Sequence, residues 1–205
     1  LRASDGRLWH SWKDGKAKIA GFLEDYIHLA EGLLELYTTT FDSRWYQAAR
    51  KLVDVVAAHF GAPAGFYDTA DDGEELIVRP RELEDNALPS GNSMATLVLL
   101  KLAGLGVQPG YADVARQSLV AMQPMLDRYP LGFGQWLVAL DYALSHPKEV
   151  AIVGDPESGG MRALIDVATA GFRPHLVVAA APPAPAGAGV PLLEGRTMVG
   201  EAAAA

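Results

Sequence analysis

Apolar side chains return every three or four positions through most of the first 144 residues, which is the spacing of one face of an α-helix. A short loop between the first two helices predicts an antiparallel hairpin, with Asp42 or Ser43 as the N-cap of the second helix. The third helix is apolar at nearly every position, so we expect it to lie between other elements. In the fourth, Pro124 is expected to introduce a kink or an early end. The five predicted helices cover residues 19–37, 43–60, 92–102, 111–129 and 132–144.

Strand patterns interrupt this helical spacing in two places. Residues 75–79, which follow a polar turn, form a short strand candidate. Residues 149–153 and 176–180 are strand candidates on either side of a predicted helix at 160–170. This order is typical of a parallel β-α-β unit. The segment that follows is rich in Pro and Ala and is predicted to be a linker or tail.

These elements predict a mainly α protein. Enclosed helices alternate with amphipathic ones, which suggests two concentric layers of helices. The chain has 205 residues, half of them apolar, and this is enough for one sizeable core. The predicted regions are helical hairpins over 1–145, the β-α-β element over 146–181 and the Pro/Ala-rich linker or tail over 182–205.

Composition and charge exclude several classes of function. The formal net charge is -8, and the 17 basic residues do not cluster, so neither a nucleic acid nor an anionic membrane is an expected partner. The chain has no cysteine, which excludes disulfides and thiolate catalysis and is compatible with a reducing compartment. No apolar run approaches the roughly 20 residues of a membrane span. We therefore expect a soluble, cytoplasmic protein.

The five histidines do not show the sequence spacing of a metal site. His28 falls on the polar stripe of the first helix, and no His-x-x-x-His or His-Glu-x-x-His pattern occurs. A phosphate-loop interpretation of residues 154–160 is also disfavoured, because the segment lacks the Gly-Lys-Ser/Thr ending. The sequence therefore predicts neither a metal nor a cofactor.

Three aspartates are candidate catalytic residues because each lies near the start of a predicted helix. Asp25 ends an otherwise apolar helical stripe, so it needs a partner or must face a cavity. Asp68 and Asp85 lie in loops beside helix starts, and carboxylates across one cavity are what glycosyl chemistry requires. A structural alternative remains for each: a cap or an ion pair for Asp25, and an Asx-turn for Asp68. Asp85 is balanced between the two interpretations.

Five further residues are candidate ligand-binding groups. Two of them, Ser90 and Asn92, lie in the segment Pro89-Ser-Gly-Asn-Ser93. The alternative to ligand binding is that these polar side chains only cap a helix. Aromatic side chains suit the apolar faces of sugars, although core packing explains them equally well. The candidates are Tyr26, Arg79, Ser90, Asn92 and Trp136.

Five motifs in this order resemble the C-terminal region of the spermatogenesis-associated, thioredoxin-domain-containing protein family. They are Asp14-Gly-Lys-Ala-Lys18, Gly21-Phe-Leu-Glu-Asp-Tyr26, Gly65-Phe-Tyr-Asp-Thr69, Val78-Arg-Pro-Arg-Glu82 and Pro89-Ser-Gly-Asn-Ser93. The resemblance covers roughly residues 1–180. It implies a six-hairpin (α/α) toroid, related in fold to N-acylglucosamine 2-epimerases and six-hairpin glycosidases, preceded by a thioredoxin-like module. With three hairpins, this chain is then expected to be about half of such a toroid.

The resemblance implies no settled reaction, so two functional hypotheses stand. The first is a cavity that binds or processes a carbohydrate-like ligand with its aspartates, as an isomerase-like or glycosidase-like enzyme would. The second is a non-catalytic module that binds a ligand or client for the thioredoxin-like domain. A half toroid exposes apolar hairpin faces, so we expect either a homodimer or the missing N-terminal part of a longer chain as partner.

Overall fold

The computed structural model describes residues 2–3, 5–107, 110–183 and 189–198. The described residues are mainly α-helical, as predicted, with three small two-stranded sheets. No helix among them combines the length and the apolar character that crossing a membrane requires. In chain order the elements are β1 (Trp9–Lys13), β2 (Lys16–Ala20), α1 (Leu23–Thr40), α2 (Ser43–His59), β3 (Gly61–Ala62), β4 (Gly65–Phe66), α3 (Gly91–Gly104), α4 (Gly110–Arg128), α5 (Gly134–Leu144), β5 (Lys148–Val153), α6 (Gly159–Thr169) and β6 (Leu176–Ala181).

Helices α1 and α2 form the predicted hairpin. Phe41 adopts a left-handed conformation (φ 53°), which ends α1, and the Asp42 side chain then accepts a hydrogen bond from the Arg44 N–H and caps α2. Inside the hairpin, the rings of Tyr37 and Tyr46 lie 5.7 Å apart. The predicted N-cap and the inward face of α2 are confirmed, except that Ala57 is exposed.

Helix α3 lies at the centre of the helical core. It packs against α1, α4 and α5, and ten of its fourteen residues are buried. The predicted enclosure is therefore confirmed. The first turns of α1, α3 and α5 meet at one end of the molecule. A Cβ on Gly91 would lie 3.0 Å from Leu23, and Asp85 accepts hydrogen bonds at the starts of both α3 and α5. The three helices, which pack side by side, therefore run in the same direction.

The C-terminal strands form the predicted parallel β-α-β unit. Strands β5 and β6 pair in parallel, with Val150 opposite Val178. Side chains alternate between the two faces of a strand, so Val178 and Ala180 pack with α6 while Val177 and Ala179 join the main core. The Val177 face of β6 therefore packs against the helical core, with Val177 beside Gly104 at the end of α3.

Two sequence predictions about secondary structure are wrong, and of the two effects expected at Pro124 the early end of α4 does not occur. Residues 75–79 form no strand, and Ile77 is fully exposed. The first helix begins at Leu23 instead of residue 19, because residues 16–20 pair with β1. Helix α4 does not end at Pro124, which lies on its exposed face. There, a carbonyl that loses its helical N–H partner can bind water instead.

Candidate functional site

The candidate site lies where residues 61–90 cross the N-terminal ends of α1, α3 and α5. We call these three helix ends and the crossing segment the N-terminal mouth. The segment is held by backbone hydrogen bonds at both of its ends. Leu23 N–H donates to the Asp68 carbonyl at 2.9 Å, and Asp85 N–H donates to the Gly132 carbonyl at 2.9 Å. All eight candidate residues from the sequence lie in this mouth or in the helices that border it.

Asp85 joins the first turns of two helices. Its Oδ1 accepts hydrogen bonds from the Ser90 N–H at 2.9 Å and the Ser93 hydroxyl at 2.6 Å. Its Oδ2 accepts from the Gln135 N–H at 2.8 Å, in the first turn of α5. Helix starts leave backbone N–H groups without partners, and a carboxylate there is further favoured by the helix dipole. Both oxygens of Asp85 are therefore engaged within the fold.

Ser90 and Asn92 also bind the chain itself. The Ser90 hydroxyl is the N-cap of α3 and accepts from the Ser93 N–H at 3.2 Å. The Asn92 side chain is almost fully buried, accepts from the Phe66 N–H at 2.9 Å and donates to the Glu82 carbonyl at 3.0 Å. The Asn92 side-chain amide thus satisfies the Phe66 N–H and the Glu82 carbonyl, two backbone groups that would otherwise lack a partner.

The larger candidates fix the segments around the mouth. Trp136 is fully buried and donates its indole N–H to the Leu83 carbonyl at 2.8 Å. The Tyr26 hydroxyl accepts from the Leu8 N–H at 2.8 Å. Arg79 donates to the Thr69 carbonyl, and its guanidinium stacks 4.2 Å from the centre of the Tyr67 ring. The polar groups of Trp136, Tyr26 and Arg79 bind backbone groups of the chain itself. That these residues also contact a ligand stays a prediction.

Asp25 forms a pair with a histidine that sequence reasoning did not select. One of its oxygens accepts from the Phe22 N–H at 2.8 Å, which helps to start α1. The same oxygen lies 2.9 Å from His10 Nδ1. Because a carboxylate only accepts, Nδ1 carries a proton and Nε2 of the exposed ring points away from the pair. A carboxylate behind an imidazole is an arrangement that orients a base.

The hairpin that carries His10 does have a sequence signal. Asp14 and Gly15 lie between two runs of five residues, and both have positive φ (54° and 74°), as a type I′ turn requires. An Asp-Gly pair between alternating residues indicates such a hairpin. With this signal, His10 and Trp12 could have been assigned to one face of β1.

Asp68 is half-buried, and its carboxyl has a perturbed pKa. Oδ2 accepts from the Glu82 N–H at 2.8 Å, whereas Oδ1 has no hydrogen-bond partner among the described residues. Burial raises the pKa of the Asp68 carboxyl above its ordinary value, and the nearby Glu82 and Glu24 add to the effect. The Asp68 carboxyl therefore keeps its proton to a higher pH than an exposed carboxyl does.

The structure brings Asp25 and Asp68 to the start of α1 and places Asp85 between α3 and α5. Asp68 bonds the first residue of α1, and Asp25 lies two residues further along. Asp85 shares no hydrogen bond with either of them in the described part of the chain. The three carboxylates border one mouth, but no two of them share a hydrogen-bond partner among the described residues.

A group of potential metal ligands lies beside the mouth. One ligand atom each from His59, Asp71 and Asp72 fall within 4.8 Å of one another. Arg7 binds Asp72 and holds the pKa of that carboxyl below its ordinary value. Since the Arg7 guanidinium and the His59 ring already bind these carboxylates, the group is explained by an Arg7–Asp72 ion pair and a His59–Asp71 hydrogen bond at the surface.

Comparison with known proteins identifies relatives of the chain, although no family model matches it. It is 31% identical to rat spermatogenesis-associated protein 20 over 161 residues, which are 77% of this chain and 20% of the relative. The human protein of the same name is 30% identical over the same lengths. An uncharacterized protein of Caenorhabditis elegans is 28% identical over 146 residues, 71% of this chain and 20% of that protein. The chain spans about a fifth of the length of these curated relatives, and the predicted family resemblance is confirmed.

Proposed function

We propose a function for this chain from the premise that it is a homologue of spermatogenesis-associated protein 20 over 77% of its length. In the proposal, the chain forms about half of an (α/α) toroid within a longer protein. Its N-terminal mouth binds a polyhydroxylated, carbohydrate-like ligand. Asp68 and the His10–Asp25 pair are the groups that face this ligand, while Asp85, Asn92 and the other candidates hold the mouth together.

The order of helix packing supports the toroid. Helices α1, α3 and α5 pack in succession and run in one direction, and α2 and α4 each return along the outside. Inner and outer helices alternate in this way in an (α/α) hairpin array. A cavity in such an array opens at one end of the inner helices, which is where residues 61–90 lie.

The single observation that carries the ligand proposal is the half-buried Asp68 carboxyl, which has a raised pKa and one oxygen with no hydrogen-bond partner among the described residues. A carboxyl of this kind can donate a proton or accept a hydroxyl hydrogen bond, and perturbed carboxyls cluster at functional sites. His10 offers a second acceptor at Nε2. Trp12, which lies on the same face of β1 as His10, is 58% exposed. Its ring is available for the apolar face of a sugar.

The test is a titration of the 205-residue chain with glucose, N-acetylglucosamine and maltotriose. We expect one of them to shift the indole N–H signal of Trp12 in the NMR spectrum and to raise the melting temperature by linkage. Asp68→Asn keeps an acceptor for the Glu82 N–H, so it should fold but bind about tenfold more weakly. Asp166→Asn, at an exposed position of α6, is the matched control and should bind as the parent does. No shift with any of the three sugars would remove the carbohydrate proposal.

A second candidate function is a non-catalytic module that packs against a thioredoxin-like domain or a client. The observation that favours it is the exposed apolar surface at both edges of the array. Leu29 and Leu36 are 46% and 44% exposed on α1, and Val138 and Leu144 are 50% and 67% exposed on α5. Surfaces of this type mark interaction sites.

Sedimentation of the isolated chain tests this second candidate. We expect concentration-dependent self-association through the edge of α1, and Leu29→Glu should abolish it. A matched change at an exposed apolar position elsewhere, Phe172→Glu, should not. A chain that stays monomeric at high concentration would contradict the role of these edges.

A further inference from the structure

The β1–β2 hairpin is exposed on both of its faces. Eight of its ten strand residues are exposed, and Trp9, Trp12 and Ile19 expose 39%, 58% and 56% of their surfaces. In the described part of the chain, β1 and β2 pair only with each other, so each strand has one edge without a ladder. A two-stranded hairpin is only marginally stable in water, and a third strand supports it. The hairpin is therefore open to a further strand.

The hairpin also concentrates positive charge in an acidic chain. Residues 9–20 contain three lysines and one aspartate, a net charge of +2, whereas the whole chain has a net charge of -8. Lys13 lies opposite Lys16, and Lys18 follows two residues later, so the three ammonium groups share one face. None of them forms a salt bridge among the described residues. Like charges on one face repel, so the hairpin fits an acidic partner.

Residues 71–78 have the complementary composition. Ile77 is fully exposed, and the segment contains no basic residue. Four carboxylates are followed by three exposed apolar side chains: Asp71, Asp72, Glu74 and Glu75, then Leu76, Ile77 and Val78. The segment therefore matches the hairpin both in charge and in apolar character.

The backbone of residues 73–78 lacks partners as well. No backbone hydrogen bond involves these six residues in the described structure. The segment is held only at its ends, where the Asp71 N–H donates to the His59 carbonyl at 2.8 Å and Arg79 donates to the same carbonyl at 3.3 Å. Bends at residues 73–74 and 77–78 keep it irregular. A tethered segment with the composition of a strand and free backbone groups is of the type that adds to a sheet edge.

We propose that residues 74–78 of one copy of this chain add as a third strand to the β1–β2 hairpin of a second copy. The pairing straightens the segment and gives its backbone groups partners in the hairpin. It brings Glu74 and Glu75 to the face that carries Lys16 and Lys18, and it covers apolar surface on both sides. The strand signal of this segment is then explained, because its partner strand lies in another copy.

The positions of the two surfaces favour a closed dimer. Arg7, two residues before β1, binds Asp72, so the base of the hairpin and the start of the segment lie side by side in one copy. A two-fold axis beside them lets each copy give one strand and receive one, which closes the assembly at two copies. The contact uses neither the Leu29 edge of α1 nor Asp68, so it is independent of both proposed functions.

The test is charge reversal with mixing, followed by sedimentation of the 205-residue chain. All chains carry Leu29→Glu, which removes association through the edge of α1. We expect this chain to dimerise, and Lys16→Glu/Lys18→Glu and Glu74→Lys/Glu75→Lys should each weaken the dimer at least tenfold. An equal mixture of the two double variants should associate within about threefold of the unreversed chain, because both contacts of the mixed dimer again join opposite charges.

Hydrogen exchange identifies the segment that pairs. The amides of residues 74–78 should exchange at least tenfold more slowly in the dimer than in a diluted, monomeric sample. Lys51→Glu/Lys148→Glu, at exposed positions of α2 and β5, changes the net charge as the hairpin variant does and should leave the dimer unchanged. The absence of a dimer, a mixture no stronger than either double variant alone, or slow exchange of these amides in the monomer would overturn the proposal.

Discussion

The replacement of Asp85 by alanine separates a structural carboxylate from a catalytic one. Asp85→Ala removes three accepted hydrogen bonds, from the Ser90 N–H at 2.9 Å, the Gln135 N–H at 2.8 Å and the Ser93 hydroxyl at 2.6 Å. The Ser93 hydroxyl keeps an alternative acceptor, the Ser90 carbonyl at 3.0 Å. The loss is therefore dominated by the backbone N–H groups at two helix starts.

The magnitude follows from the cost of losing a helix cap, which is about 1 kcal/mol. The start of α5 loses its cap, and the N–H of Ser90, the N-cap residue of α3, loses its charged acceptor. We therefore expect Asp85→Ala to lower the free energy of unfolding by about 2–3 kcal/mol. The assay is urea unfolding followed by circular dichroism at 222 nm. The slope m should not change, because the surface exposed on unfolding is the same.

Asp42→Ala is the matched control because it removes a carboxylate that caps a single helix through the Arg44 N–H at 3.0 Å. We expect it to cost about 1 kcal/mol. A carboxylate that instead faces a ligand is commonly held at a cost to stability, and its removal is neutral or stabilising. If Asp85→Ala costs less than Asp42→Ala, or stabilises the protein, the structural explanation of Asp85 is wrong.

Two further predictions concern other parts of the mouth. Since the pKa of Asp68 is raised in the folded state, its contribution to stability is fully present below its ordinary pKa of 3.8 and is lost as the pH rises through the folded pKa. Asp68→Asn should therefore be more stable than the parent at pH 7, by a margin that shrinks toward pH 3.8 in urea unfolding; a pH-independent margin would contradict the assignment. Gly65→Ala should cost about 1–3 kcal/mol, because Gly65 has φ +131° and an added Cβ would lie 2.9 Å from Asn92 Oδ1. Gly15→Ala, at φ +74° with nothing within 4 Å, measures the backbone part alone and should cost less in the same assay.

The elements that were predicted correctly are those whose signals are local. Helix α2 has an N-cap aspartate at its start and an apolar face at regular spacing, and both act within a few residues. The β5-α6-β6 unit has two short apolar runs around a helix that Ser158 caps. Such signals do not depend on the rest of the fold, so the sequence alone is sufficient to find them.

The elements that were missed have two different causes. Residues 75–79 have the composition of a strand, but no other strand lies beside them among the described residues, so their backbone has nothing to pair with. Residues 19 and 20, which were assigned to the first helix, instead pair with β1 across a two-residue turn. The local signal for this hairpin, the Asp14-Gly15 pair, was not used.

The sequence by itself determined the mainly α class, the central position of α3, the β-α-β unit and the family resemblance, because periodicity, caps and ordered motifs are written in neighbouring residues. It also located the polar residues of the mouth. Only the tertiary structure decided what those side chains bind. Asp85 meets the start of α5 fifty residues away, and Asp25 meets His10 on a hairpin. A buried polar group must find a partner, but which one it finds is set by how distant segments pack, and residue type alone does not contain that information.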